Sequence, residues 1–114
     1  MDKKEVLKKR KDFEELFKSG KKVQSTFFSL YYNKNELLNN RFAVVIKSKV
    51  GSACRRNRLK RIIRELYRNS KKDIKAGFDF IIMIFADFNM LSFQQIKQLF
   101  LEMFRTSDLL KVDY

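Results

Sequence analysis

The stretch "FDFIIMIFAD", residues 78–87, constrains the fold more than any other. Its apolar side chains occupy both alternating faces, so as a strand it has no side that belongs in water. A chain carrying it must be layered, with this strand central or covered. The apolar run Phe80–Ala86 is strand length, far short of the ~20 residues a membrane helix needs.

The flanking pattern supplies the cover. "DFEELFKSG" places Phe13, Leu16 and Phe17 at i, i+3 and i+4 and ends on Gly20, a helix stop. "VQSTFFSLYYN" and "RFAVVIKS" are β-branched and aromatic, divided by the asparagine-rich turn "NKNELLNN". They predict two strands, or three with a bend. Residues 1–11 are mostly charged and are expected to fray. Gly51 and Ser52 interrupt the strand pattern, and Ser52 is placed to cap a helix. Leu59, Ile62, Ile63, Leu66 and Tyr67 then recur at helical spacing over about four turns. After the central strand, Ser92 and Gln95 stand at capping-box spacing, with Ile96, Leu99, Phe100, Met103 and Phe104 on one stripe. The order is α-β-β-β-α-β-α when a bend adds the third strand: an α+β (α/β) sandwich in one domain, residues 1–114, of a kind also built by ribosomal proteins.

Charge says what such a domain meets. Lys and Arg outnumber Asp and Glu by 26 to 13, a net +13, which favours a polyanionic partner. The excess is local. Residues 55–75 hold ten basic and two acidic side chains, whereas residues 76–114 hold three and five. One cysteine, Cys54, excludes an internal disulfide framework and reads as a small apolar side chain at a helix start. The absence of an apolar leader agrees with a cytoplasmic location. There is no histidine, which removes the commonest general base and metal ligand.

The basic block is "CRRNRLKRIIRELYR", residues 54–68. On a helix its apolar residues form one stripe, and Asn57, Arg61, Arg64 and Arg68 run down the opposite face, flanked by Arg58 and Lys60. Guanidinium forks suit phosphate oxygens, and the asparagine adds a neutral donor and acceptor. A merely solvated face usually mixes signs, yet Glu65 is the only carboxylate here. Like charges one turn apart cost a helix a little stability unless an anion offsets them. Phosphate binding is the expectation. The apolar stripe is needed to close the core, so a membrane surface is not the expected partner. No tight turn and second helix precede the block as helix-turn-helix docking on DNA requires.

At this point a resemblance becomes specific. "SKVGSACRRNRLKRIIRELYR", residues 48–68, resembles the signature of the bacterial ribonuclease P protein subunit, with its Arg-Asn-Arg core at Arg56, Asn57 and Arg58 followed by Lys60 and Arg61. "KDFEELFKSG" and the single-domain length extend the likeness over essentially the whole chain. The resemblance implies a mixed sheet backed by helices. It implies a catalytic RNA subunit as partner and removal of the 5′ leader from precursor tRNA; no obligate protein partner is expected. Mg²⁺ would be bound mainly by that RNA, with no catalytic residue in the protein. The residues agree with the last point: 13 carboxylates are scattered, where a two-metal nuclease needs several converging.

The aromatics leave two readings open. Phe28, Leu30 and Tyr32 fall on one face of a strand, and Phe27, Ser29 and Tyr31 on the other. Either all the rings are core, or one set lines a groove where unpaired bases stack. The resemblance favours the groove, implying Phe13, Phe17 and Tyr31 around a single-stranded leader, with Lys49 and Arg55 supplying phosphate contacts. The rival function is a structural RNA-binding protein of ribosomal type, which composition alone does not separate.

Overall fold

The computed structural model describes residues 3–111. Three helices, α1 (Arg10–Ser19), α2 (Ala53–Ser70) and α3 (Phe93–Thr106), surround four strands, β1 (Lys21–Gln24), β2 (Phe28–Lys34), β3 (Arg41–Ile46) and β4 (Phe78–Ile84). The sheet runs β1-β2-β4-β3, with β4 antiparallel to β2 and parallel to β3. The strand apolar on both faces is therefore interior, and the sheet is mixed. The third strand arises in the first strand region, which is split into β1 and β2. Ser25 turns it, its hydroxyl donating to the Phe28 carbonyl at 3.1 Å, and the pieces pair as a hairpin.

The two faces are covered unequally. Phe28, Leu30, Phe42, Val44, Phe80, Ile82 and Ile84 pack under α2 and α3 in the main core. Leu59, Ile63, Leu66 and Tyr67 enter it from α2, and Ile96, Phe100, Met103 and Phe104 from α3. Ile62, on the margin of the α2 stripe, is only half-buried. The Tyr67 and Phe42 rings stack in parallel at 3.9 Å between centroids. Truncating any of these large side chains to alanine costs ~2–5 kcal/mol. On the opposite face, α1 and the N-terminal segment cover a smaller cluster of Leu7, Leu16 and Ile81, with Phe13, Tyr31, Ala43 and Val45 at its margin. The rest of that face is open.

Local chemistry sets the helix ends. The Ser52 hydroxyl accepts from the Arg55 amide at 3.2 Å, capping α2. Ser92 and Gln95 close the expected capping box on α3. After α1, a side chain on Gly20 would meet the Leu16 carbonyl at 2.5 Å, so only glycine lets the chain fold back into β1.

Two expectations need correction. The charged N-terminal stretch does not fray between residues 3 and 11: Leu7 is buried, and its amide donates to the Phe42 carbonyl at 3.1 Å beside the bridge from Val6 to Phe42. One apolar side chain and a strand edge hold it, despite its charge. Cys54 is exposed rather than packed.

Candidate nucleic-acid interface

α2 sorts its cations by what each one touches. Arg55 donates to Asp87 at 2.7 Å, tying the start of the helix to the loop after β4. The Asp87 carboxyl lies below its ordinary range, first because the Asn89 amide hydrogen-bonds it and then because of Arg55. Arg56 is half-buried and turns back on the protein, donating to the carbonyls of Gly51 at 2.8 Å and Ser48 at 3.2 Å. Arg68 is held by Glu65, whose carboxyl is lowered by that hydrogen bond. Asn57, Arg58, Arg61 and Arg64 are exposed and Lys60 is half-buried, and none of these has an ion pair or side-chain hydrogen bond among the described residues. Three of the seven cations thus have protein partners, and four are left for an anion.

The open part of the sheet's other face forms a groove of about 260 Å³. Ser29, Tyr31 and Met83 line it from the strands, with Lys22, Lys47 and Lys49 around them. Tyr31 meets Phe17 of α1 edge to face at 4.8 Å, and Lys22 lies 5.4 Å from the Tyr31 ring centre. Phe17 is 38% exposed, unusual for a phenylalanine that already has a ring partner. Phe13 sits at the edge of the small cluster beneath. So Tyr31 and Lys49 line the groove, Phe17 adjoins it through the Tyr31 ring, and Phe13 packs on the small cluster instead of lining it. Phe27 does not join them. It precedes β2, escapes the strand alternation, and packs against Phe88 of the main core.

Lys22 and Lys47 do not stand out in the sequence from the many other lysines. The signal for Lys22 lies in the hairpin register, which sets it opposite Tyr31. Residues 47–51 join the groove to α2, and Arg56 clamps that connection through its two carbonyl contacts. Among the described residues, no three Cys, Asp or Glu side chains come together as a metal site would require. No helix among them is long and apolar enough to cross a membrane.

A mixed four-stranded sheet with a basic helix on one side and a lysine-rimmed aromatic groove on the other defines a small basic protein of the α/β sandwich class. Comparison with known proteins narrows the class. The family model described as Ribonuclease P matches residues 1–108. The ribonuclease P protein component of Thermotoga maritima is 35% identical over 105 residues, covering 89% of this chain and 90% of that protein. The solved T. maritima ribonuclease P protein superposes with a TM-score of 0.81 at 33% identity, over 96% of this chain and 99% of that one. The Staphylococcus aureus ribonuclease P protein gives 0.84 at 26% identity, over 93% and 97%. This chain belongs to the ribonuclease P protein family, which acts in tRNA processing.

Proposed function

We propose that the chain assists Mg²⁺-dependent removal of the 5′ leader from precursor tRNA, with the chemistry carried out by a catalytic RNA subunit in the cytoplasm. The exposed face of α2, chiefly Asn57, Arg58, Lys60, Arg61 and Arg64, holds the RNA subunit by its phosphates. The groove takes the leader, with bases against Phe17 and Tyr31 and phosphates against Lys22, Lys47 and Lys49. Mg²⁺ is held mainly by the RNA, and the protein supplies no catalytic residue. The motif puts Arg55, Arg56 and Arg68 at the RNA as well; their protein partners make them supports of the surface first.

One observation carries this reading. The α2 cations without a partner among the described residues and the groove lysines are joined by the single clamped segment 47–51, so one short connection links both binding surfaces. The test is reconstitution. The protein alone should leave precursor tRNA intact in Mg²⁺, and cleavage at the mature 5′ end should appear when a bacterial ribonuclease P RNA is added. Cleavage by RNA-free protein after trace nucleases are removed would overturn the proposal.

A further inference from the structure

The β1–β2 hairpin carries lysine and tyrosine on both faces. Lys22 stands opposite Tyr31 on the α1 side; the neighbouring pair, Lys21 and Tyr32, turns toward α2 and α3. There, next to residues 107–109 at the end of α3, lies a second groove of about 560 Å³. That volume falls within the ~300–1,000 Å³ of small-molecule sites. Tyr32 and Phe78, both half-buried, line it with ring centres 6.5 Å apart.

Two of its three ammonium groups have no ion pair among the described residues. Lys75 pairs with Asp108 at 3.3 Å, which accounts for one ammonium and for the only carboxylate lining the groove among the described residues. Lys21 and Lys34 are exposed and have no ion pair among the described residues. They share a sheet face on adjacent strands, where like charges repel. An anion between them would remove that cost. Aromatic rings beside two free ammonium groups repeat the chemistry of the groove on the α1 side.

We infer that this second groove binds one unpaired nucleotide of an RNA strand, its base against Tyr32 and Phe78 and its phosphate between Lys21 and Lys34. The inference rests on RNA being the partner of the chain, but not on the α1-side groove being the leader site. The two lie back to back across the hairpin.

The probe is hexauridylate, titrated into the full isotope-labelled chain while backbone amide shifts are followed. Saturable shifts are expected at Asn33, Lys34, Lys75 and Phe78, separately from those at Tyr31 and Lys49. In Lys21→Glu/Lys34→Glu the first set should vanish and the second persist, with the salt slope of binding lowered by ~0.7 for each phosphate no longer neutralised. A melting curve checks folding, and Lys21→Gln/Lys34→Gln, without reversed charge, should lose the same shifts. Wild-type shifts confined to the α1 side, or undiminished shifts at Asn33 and Phe78 in both double variants, would overturn the inference. Shifts at Asn33 and Phe78 without any at Tyr31 would uphold it and count instead against the leader groove.

Discussion

Arg41 grips Asp79 with two nitrogens, Nε to Oδ1 at 2.8 Å and Nη2 to Oδ2 at 2.6 Å, and reaches Asp12 of α1 at 3.3 Å with the third. One side chain thereby ties β3, β4 and α1 together at the end of the sheet. The hydrogen bond to Asp79 is the main reason the guanidinium holds its proton more tightly than usual. Asp79→Ala should destabilise the protein by ~1–3 kcal/mol, because it strips a partly buried cation of its principal partner. Arg41→Lys should cost nearly as much, since an ammonium cannot reproduce the fork. Denaturant unfolding of both single variants and the double variant checks this. A coupling energy near zero would mean that the pair is ornamental.

The cations on α2 should divide by experiment as they divide by partner. Arg61→Ala and Arg64→Ala break no hydrogen bond or ion pair within the described protein, so melting should be unchanged. Binding to the RNA subunit should weaken, and its salt slope should fall by ~0.7–0.9 for each phosphate released from the helix. Arg56→Ala should behave in the opposite way, lowering stability through the freed carbonyls of Ser48 and Gly51. Equal salt slopes for Arg61→Ala and the wild type would remove that residue from the interface.

Phe17→Ala and Tyr31→Ala test the groove. Each should reduce the preference of the assembled enzyme for precursor over mature tRNA by up to ~1–3 kcal/mol, the worth of a stacked base. Mature tRNA lacks the leader and should be bound as before. Folding must be compared alongside, since the two rings also pack on each other. Folded variants with unchanged preference would show that the rings are scaffold.

Tyr67 should make the protein sensitive to alkali. Burial, aided by the charge of Glu5, pushes its phenol from 10.0 to about 12. The folded state therefore keeps a proton that the unfolded chain gives up. The associated stability is complete below pH ~10 and is lost as pH rises toward ~12, a fall of about 2–3 kcal/mol at ~1.4 kcal/mol per pKa unit. Tyr67→Phe should flatten that part of the pH–stability curve. Parallel curves for the two proteins would assign the alkaline loss to other groups.

Much of this architecture is legible in the sequence because its signals are local. The doubly apolar run at β4, the stripe from Leu59 to Tyr67 and the box at Ser92 and Gln95 each sit within a few turns of chain. What escapes depends on partners distant in sequence. Leu7 is buried because Phe42 offers a carbonyl 35 residues away, and the exposed Arg55 is engaged because Asp87 lies 32 residues on. Alternation places Tyr31 and Tyr32 correctly but misplaces Phe27, which lies one residue outside β2. The motif marks α2 without showing which of its arginines already have partners within the protein.

The position of β4 bears on how the protein is made. Among the described residues it is the last strand in sequence, yet it is the ladder partner of both β2 and β3, and before it β3 has as strand pairing only the bridge from Val6 to Phe42. During synthesis the β1–β2 hairpin and the basic helix emerge first, with no sheet for the apolar stripe of α2 to sit on. Closure waits for Ile84 to leave the ribosome, and joins segments roughly fifty residues apart in one step. Ribosome-stalled chains ending inside the exit tunnel at β4 should leave β2 amides open to exchange, and chains extended past α3 should protect them. The nascent protein meets the RNA-rich surface of the ribosome as an unfinished, strongly cationic chain, and only its last third converts it into a folded domain.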